Sequence, residues 1–192
     1  MKIVLASTSK YRKALLDKLQ LDFICHKPNV VESRRLNESA KDMALRLAEA
    51  KSKDVARHYK SGLIIGSDQT ASLHNDILGK PGTPQNAKMQ LQQCSGKEVV
   101  FYTGLSVVDA NSNKCISLVE EYTVCFRNLT DQQIENYIAK ESPLDCAGSF
   151  KCEGLGISLF SQLQGRDPNS LVGLPLIALC DVLAEFKFDV LS

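Results

Sequence analysis

The first residues of the chain that could do chemistry follow directly on a short apolar run. The segment Ile3-Val4-Leu5-Ala6 changes abruptly into Ser7-Thr8-Ser9-Lys10-Tyr11-Arg12-Lys13. This pattern predicts a short strand, then hydroxyls suited to capping a helix whose first turn carries cations. Cations at that place oppose the helix dipole, which favours negative charge at an N-terminus. Backbone N–H groups, hydroxyls and cations that converge on a helix start favour a site for a polyanion, most often a phosphate chain.

Asp68 is the first carboxylate whose position in the chain points to chemistry. It follows the apolar run Leu63-Ile64-Ile65, which lies between Gly62 and Gly66 and predicts a short strand buried on both faces. A carboxylate just after such a strand lies at the carboxyl edge of the sheet, where open α/β folds bind their ligands. Asp68 is therefore a candidate general base or metal ligand, although an aspartate there can also simply bond the backbone of its own turn.

Further charged residues of this kind are spread over other segments. Lys80 lies between Gly79 and Pro81 in a turn, and Glu32 lies in a polar loop. The other candidate cations are Arg12, Lys13 and Lys51. Four convergent cations would match a triphosphate, and Mg²⁺ is commonly held by one or two carboxylates plus substrate phosphates. Together these residues favour a metal-assisted phosphoanhydride hydrolase, although each of them alone could equally be a solvated surface charge.

The composition limits the classes of protein to which the chain can belong. It has 192 residues, of which 44% are hydrophobic and 23% charged, and a net charge of +1. These values are typical of an ordinary soluble globular domain, and they argue against a general nucleic-acid or membrane-surface binder. No apolar run approaches the roughly 18–20 residues of a membrane span, and the N-terminal run is too short for a signal peptide. We therefore expect a cytoplasmic protein with no nucleic-acid partner and no membrane association.

The cysteines and histidines show no spacing typical of disulfide frameworks or metal sites. The seven cysteines include no CxxC pair, and the three histidines form no HxxxH or HExxH pattern. We expect most of the cysteines to be buried, small apolar residues in a reducing compartment. Cys152 lies in a Gly-rich loop with no histidine near it in sequence, so it is a weak candidate nucleophile. Walker A and GxGxxG motifs are absent, which argues against a P-loop ATPase or a dinucleotide enzyme.

The hydrophobic pattern predicts the elements that must position these groups. Helices are predicted over 10–19, 40–59, 84–94, 130–140 and 175–186, with Ser39 and Thr130 as capping residues. Strands are predicted over 3–6, 23–25, 63–65, 98–109, 115–126 and 157–160, with a hairpin turn at 111–113. This order indicates an α/β fold whose sheet is mixed. We expect a single domain over 1–192 with two lobes, a boundary near residue 96 and a cleft between the lobes.

Motifs along nearly the whole chain resemble the Maf family of nucleoside triphosphate pyrophosphatases. They occur in the family's order: LASTSKYRKALL, LRLAEAKS, IIGSDQT, the GKP turn, FYTGLSVV, AGSFKCEGLGI and VGLPL. The resemblance implies a Maf/ITPase-like α/β enzyme with two lobes and a central cleft. It also implies that a nucleoside triphosphate is hydrolysed between its α and β phosphates with a divalent cation, Mg²⁺ or Mn²⁺, giving the monophosphate and pyrophosphate.

The same resemblance assigns roles to individual residues. Asp68 matches the family's proton acceptor, and Glu32 and Asp68 match its metal ligands. Positions that line the phosphate and metal site are matched by Ser7, Arg12, Lys13, Glu32, Lys51 and Lys80. Two residues depart from the family's pattern: Lys10 replaces a usual proline, and Val31 precedes Glu32 where many members have aspartate. The second departure removes one oxygen that a metal ion or a water molecule could use.

Three positions indicate the nucleotide. The branch of the family that acts on dTTP and UTP typically has Arg, Thr and Gln where this chain has Tyr11, Gln69 and Glu153. The chain resembles instead the branch that acts on 7-methyl-GTP, with an aromatic residue, Gln and Glu. N7-methylguanine is a cationic ring that an aromatic face stabilises, and Glu153 could accept hydrogen bonds from the N1–H and N2–H₂ edge of guanine. Tyr11 and Glu153 could otherwise be ordinary surface residues.

Other functions remain as alternatives at this point. The same reaction could act on GTP, dTTP, UTP or a broader range of nucleotides. A nucleotide-binding regulator without turnover is the alternative from a different class, and the presence of Asp68, Lys80 and Arg12 favours an enzyme over it. The family resemblance further implies that the protein is a homodimer.

Overall fold

The computed structural model describes residues 1–192, whose seven strands form one mixed sheet. The strands are β1 (Ile3–Leu5), β2 (Phe23–Cys25), β3 (Leu63–Leu73), β4 (Asp76–Leu78), β5 (Glu98–Asp109), β6 (Cys115–Phe126) and β7 (Phe160–Gly165). They lie in the order β2-β1-β3-β5-β6-β7, and β4 pairs with β3. β1 is parallel to β2 and β3, whereas β4 and β7 are antiparallel to β3 and β6. The predicted α/β class with a mixed sheet is confirmed.

Six α-helices accompany the sheet, and most begin where the sequence places a capping residue. The helices are α1 (Lys10–Asp17), α2 (Ala40–Ala56), α3 (Pro84–Cys94), α4 (Asp131–Glu141), α5 (Pro168–Val172) and α6 (Leu176–Glu185). Ser39 caps α2, and Thr130 forms the predicted capping box with Gln133 at the start of α4. These side chains define the helix starts because each satisfies a backbone N–H that has no partner inside the helix. None of the helices has the length and apolar character that crossing a membrane requires.

The chain divides into two compact units that alternate along the sequence. The first unit comprises Met1–Gln69, Thr103–Glu120 and Asp167–Ser192, and the second comprises Thr70–Tyr102 and Glu121–Arg166. They alternate because β3, β5 and β6 each run from one unit into the other. The sequence predicts one boundary, near residue 96, with a cleft beside it, and this division stays a prediction.

The first unit has a hydrophobic core on each face of its part of the sheet. Ile3 and Leu5 of β1 belong to a cluster with Leu16 of α1 and the apolar residues of α6. Val4, between them, belongs to a second cluster with Val55 of α2. Successive residues of a strand point to opposite faces, so the short apolar run at the N-terminus is buried on both sides. The end of β1 is therefore held firmly where Ser7 and α1 begin.

The second unit is built around an aromatic cluster. Phe150 packs edge-to-face against Phe101, Phe126 and Phe160, with ring centroids 4.7 to 5.7 Å apart. Such pairs add to the stabilisation that comes from burying the rings. The backbone N–H of Lys151 donates to the hydroxyl of Tyr137 at 3.0 Å. Together these contacts anchor the Gly-rich loop that leads to Glu153.

Three local predictions differ from the structure. β3 does not end after residue 65: it continues to Leu73 beside β5, and its last three residues pair with β4, a strand that the sequence pattern did not reveal. Residues 157–159, predicted to begin a strand, belong to a 3₁₀-helix (Leu155–Leu159), and β7 starts at Phe160. The short helix α5, which follows Asp167, was expected to be loop.

Two glycines allow α2 to approach the sheet closely. A Cβ atom on Gly66 would lie 2.3 Å from the carbonyl oxygen of Ala48 and 2.7 Å from the backbone nitrogen of Ser52. A Cβ atom on Gly104 would lie 2.3 Å from the carbonyl oxygen of Ala44. These neighbours are backbone atoms of α2, so they cannot move aside individually. The close approach matters for function because α2 also carries Lys51.

We expect Gly66→Ala to destabilise the protein by about 1–3 kcal/mol, the usual cost of forcing additional atoms into a packed interior. The change would displace α2 from β3, so it should also lower activity. Gly79→Ala is the matched control, since a Cβ atom at Gly79 meets nothing within 4 Å. Urea unfolding of the three proteins measures the effect. Equal stability of Gly66→Ala and the wild type would show that α2 is not packed this closely.

Candidate active site

Asp68 lies inside β3, not after its end as the sequence predicted. β3 pairs with β1 only over Leu63–Ile65, opposite Ile3–Leu5, and then continues. Asp68 therefore lies beyond the carboxyl end of β1, although its own strand runs on. The residue is buried, with 9% of its surface exposed. Asp68 thus lies at the expected edge of β1, but it does so from within a longer strand and not from the turn that follows one.

Lys51 joins Asp68 to Glu32. Its Nζ atom lies 2.6 Å from Oδ1 of Asp68 and 2.7 Å from Oε1 of Glu32. Lys51 and Asp68 are buried, whereas the side chain of Glu32 is 60% exposed. A helix, a strand and a loop thus bring one ammonium and two carboxylates to a single point. A buried charge pair needs this kind of direct contact, because desolvation would otherwise destabilise each charge.

The loop that carries Glu32 is held by Arg46 of α2. The guanidinium of Arg46 donates to both carboxylate oxygens of Glu38, and its Nη2 also donates to the carbonyl of Ser33 at 3.1 Å. Glu38 in turn accepts a hydrogen bond from the backbone N–H of Arg35 at 3.0 Å. Sequence reasoning missed this pair. The one hint of the Arg46–Glu38 pair in the sequence is that an arginine lies about one and a half turns before Lys51 on the same helix.

The hydrogen bonds from Arg46 lower the pKa of Glu38 to about 2. Because this pKa is below that of an unfolded glutamate, the unfolded chain takes up the proton first. The contribution of the pair to stability is therefore complete above about pH 4.5 and is lost as the pH falls towards 2.

We expect the free energy of unfolding of the wild type to fall more steeply below pH 4.5 than that of Glu38→Gln, which has no carboxylate to titrate at this position. Urea unfolding between pH 3 and 6 measures the two slopes. Glu49→Gln is the control, since it removes another glutamate from an ion pair on α2, with Lys53. Parallel curves for the wild type and Glu38→Gln would contradict the prediction.

Arg12 is held next to the carboxylates by a backbone acceptor. Its Nε donates to the carbonyl oxygen of Gly173 at 2.8 Å. Burial lowers the pKa of the Arg12 guanidinium, while the nearby negative charges of Asp68 and Glu32 raise it. An arginine side chain nevertheless stays charged at any pH relevant to proteins. Arg12 therefore brings a permanent positive charge into the electrostatic field of Asp68 and Glu32.

The other predicted residues of the N-terminal segment differ in their burial and in their partners. Ser7 is buried, and its hydroxyl accepts the backbone N–H of Ser9 at 3.1 Å. Lys13 forms an ion pair with Asp17 of the same helix at 2.9 Å. Tyr11 is half-buried, and Nζ of Lys10 lies 5.0 Å from the centroid of its ring. The face of the Tyr11 ring thus already lies close to one positive charge.

Lys80 and Glu153 belong to the second unit. Lys80 is exposed in the segment between β4 and α3. Glu153 is exposed in the loop between a short 3₁₀-helix (Ala147–Ser149) and the one over Leu155–Leu159. Its Oε2 accepts a weak hydrogen bond from the thiol of Cys152 at 3.5 Å. The participation of both residues in one site with Asp68 stays a prediction.

Gln69 points its amide group into the protein. Its Nε2 donates to the carbonyls of Ser170 at 2.7 Å and Leu171 at 3.1 Å, and to the hydroxyl of Thr103 at 3.1 Å. Ser67, also in β3, donates to the carbonyls of Gly104 and Gly173. Sequence reasoning missed Ser67 and Thr103, although a hydroxyl inside an otherwise apolar buried strand is a usable signal.

The carboxylate oxygens that meet at Lys51, from Asp68 and Glu32, fit a divalent cation of the magnesium type. Asp68 and Glu32 offer only oxygen ligands, and both carboxylates already converge on one positive charge. No group of three or more His, Cys, Asp or Glu side chains lies close enough to hold a metal by itself. Val31, exposed next to Glu32, adds no ligand. The set therefore matches sites in which two carboxylates share Mg²⁺ with substrate phosphates.

Cys152, the weak candidate nucleophile, provides no competing chemistry. All seven are unpaired, and only Cys94 is fully buried, so the expectation that most are buried is wrong. Burial nevertheless raises the pKa of the Cys152 thiol to about 12. A thiol with such a pKa is protonated at neutral pH and is a poor nucleophile.

Comparison with known proteins places this arrangement in a family. The family model described as Maf-like protein matches residues 2–186. The chain belongs to the Maf family. A protein of Colwellia psychrerythraea strain 34H, named 7-methyl-GTP pyrophosphatase, is 52% identical over 190 residues, which cover 99% of this chain and 95% of that protein. The Maf membership predicted from the motifs is thus confirmed.

One solved structure similar to this Maf-family chain is that of the Staphylococcus aureus Ham1 protein. The similarity has a TM-score of 0.49 and 13% sequence identity, and it covers 67% of this chain and 73% of that chain.

Proposed function

We propose that the protein is a nucleotide pyrophosphatase that hydrolyses 7-methyl-GTP to 7-methyl-GMP and pyrophosphate. The observation that carries this proposal is the 52% identity, over nearly the full length of both chains, to a protein named 7-methyl-GTP pyrophosphatase. The geometry at Lys51 supports it, since a general base and a phosphate-binding cation of such an enzyme have to lie close together. The substrate is accordingly a nucleoside triphosphate.

In this proposal Asp68 accepts the proton of the water that attacks the α phosphate. A carboxylate can do this if it lies within hydrogen-bonding distance of the water. Lys51 holds the carboxylate in position through its 2.6 Å contact. Arg12, Lys51 and Lys80 offset the negative charge that develops on the departing pyrophosphate, and Ser7 and Lys13 contribute to phosphate binding.

A divalent cation, Mg²⁺ or Mn²⁺, would be held by Asp68 and Glu32. When bound, it would lower the energy of the charged phosphates and favour ionisation of a water molecule. The side chain of Glu32 is exposed and contacts Lys51, and in this proposal it exchanges that contact for the cation when substrate enters. Lys51 would then contact a phosphate oxygen in place of the Glu32 carboxylate, because its ammonium can donate a hydrogen bond to either group.

Base recognition is assigned to Tyr11, Gln69 and Glu153. The Tyr11 ring already has an ammonium near its face, and the same face would attract the cationic ring of 7-methylguanine. Glu153 would accept hydrogen bonds from the N1–H and N2–H₂ groups, and its negative charge suits a cationic base. A carboxylate matches thymine and uracil poorly, because each presents two carbonyl acceptors.

The proposal also includes a cytoplasmic location and a homodimer. Seven unpaired cysteines agree with a reducing compartment. The dimer rests on the family alone and is tested by the mass of the protein in solution.

Release of pyrophosphate from a panel of nucleotides tests the proposed reaction. The panel contains 7-methyl-GTP, GTP, dTTP, UTP and CTP, each with Mg²⁺ or Mn²⁺. We expect 7-methyl-GTP to have the highest kcat/KM. A preference for a pyrimidine nucleotide would leave the reaction intact but overturn the account of base recognition. Absence of turnover with every nucleotide would favour a nucleotide-binding regulator instead.

A further inference from the structure

Four side chains around Asp68 donate to the main-chain carbonyls at the end of α5. The donors are Arg12, Ser67, Gln69 and Thr103, and the acceptors are the carbonyls of Ser170, Leu171 and Gly173. All of these residues belong to the first unit. The last carbonyls of a helix lack the usual N–H partner four residues further on. The carbonyl of Ser170 accepts the backbone N–H of Gly173, and it accepts side-chain donors as well.

These acceptors determine which way the amide group of Gln69 faces. Carbonyl oxygens cannot donate, so the group that meets Ser170 and Leu171 must be the NH₂ of the amide. The reverse orientation would bring the amide oxygen against two carbonyl oxygens. No protein donor contacts Oε1 of Gln69, which remains the one polar atom of this side chain that a substrate can use.

Thr103 links Gln69 to α5. It is fully buried in β5, and its hydroxyl accepts from Nε2 of Gln69 at 3.1 Å while donating to the carbonyl of Ser170 at 2.8 Å. Only a group that both accepts and donates can make these two hydrogen bonds. A valine of the same shape could make neither of them.

We propose that Thr103 is a positioning residue for substrate selection: together with the carbonyls of Ser170 and Leu171 it holds the amide group of Gln69 so that only its oxygen faces the nucleotide. An acceptor at this position selects for a base or sugar group that donates a hydrogen bond. The inference rests on the proposed function, since it assumes that Gln69 contacts the substrate. Thr103 acts through Gln69 and does not itself touch the nucleotide.

The kinetic test compares Thr103→Val with Thr103→Ser. We expect Thr103→Val to lower the ratio of kcat/KM for 7-methyl-GTP to kcat/KM for UTP about fivefold, the factor that corresponds to one neutral hydrogen bond. Thr103→Ser keeps the hydroxyl and should restore the ratio. Ser106→Ala is the matched control, because it removes another fully buried hydroxyl of β5, one that bonds Ser52 and not Gln69. An unchanged ratio in Thr103→Val would overturn the proposal.

A second measurement does not depend on turnover. In the NMR spectrum, the side-chain NH₂ pair of Gln69, assigned by its absence from Gln69→Ala, should be shifted from the position of a solvated glutamine in the wild type. It should move towards that position in Thr103→Val but not in Thr103→Ser. A solvated position already in the wild type would overturn the proposal, even if Thr103→Val does not fold.

The two measurements separate this inference from the proposed function. If the wild type hydrolyses no nucleotide, the proposed function fails, and the NMR pair still decides whether Thr103 orients Gln69. If the wild type prefers 7-methyl-GTP and Thr103→Val keeps the same preference, the inference alone fails.

Discussion

Asp68→Asn is expected to lower kcat for pyrophosphate release by about 10²- to 10⁴-fold, the usual contribution of a positioned general base. Asparagine has nearly the same shape and can still accept the hydrogen bond from Lys51. The buried contact, 2.6 Å long in the wild type, therefore keeps its geometry. It cannot accept a proton from water at neutral pH. The variant therefore removes the proposed chemistry while it leaves the surrounding packing in place. Release of pyrophosphate from 7-methyl-GTP under saturating substrate measures the loss.

Asp76→Asn is the matched control for this variant, because Asp76 is exposed in β4 and has no assigned role. Thermal unfolding of both variants shows whether Asp68→Asn is folded. A folded Asp68→Asn protein with kcat within tenfold of the wild type would remove Asp68 from the role of base.

The elements that the sequence predicted best are those whose signals are local. The strands over 98–109 and 115–126 and the starts of α2 and α4 are as expected, because capping and hairpin residues act within a few positions of themselves. β3 was predicted too short because its full length depends on partner strands outside its own segment. Its second half lies beside β5, and its last three residues pair with β4. Nothing within residues 67–73 announces these partners.

The residue types of the candidate site were predictable, but their contacts were not. Lys51, Asp68 and Glu32 were each selected from the sequence, yet their common meeting point depends on how closely α2 packs on the sheet. That distance is set by Gly66 and Gly104, which have no chemical role of their own. A glycine within a strand signals close backbone approach, so its presence in the IIGSDQT motif was a usable hint.

The partners of Arg12 and Gln69 were beyond reach for a different reason. Both side chains donate to main-chain carbonyls of residues 170–173. Every residue has a carbonyl, so the sequence carries no signal that marks these particular ones. The pairing becomes visible only when α5 is known to exist and to end at this place.

Glu153 is the residue on which selection of the base depends most in the proposed function. A carboxylate that accepts hydrogen bonds from a cationic ring contributes about 1.5–3 kcal/mol for such a charged contact. Glutamine has the same length, but it is neutral, and one of its two terminal atoms can only donate. It would therefore meet one of the guanine donors with a donor of its own.

We expect Glu153→Gln to lower kcat/KM for 7-methyl-GTP about 10- to 100-fold and to leave kcat/KM for UTP nearly unchanged. The loss should be smaller for GTP, whose base is neutral and gains less from the carboxylate. Initial rates with the three nucleotides measure these ratios. Glu135→Gln, an exposed glutamate of α4 paired with Lys88, is the control for removing a negative charge from the second unit. Equal losses with 7-methyl-GTP and UTP would mean that Glu153 supports the reaction in general and does not read the base.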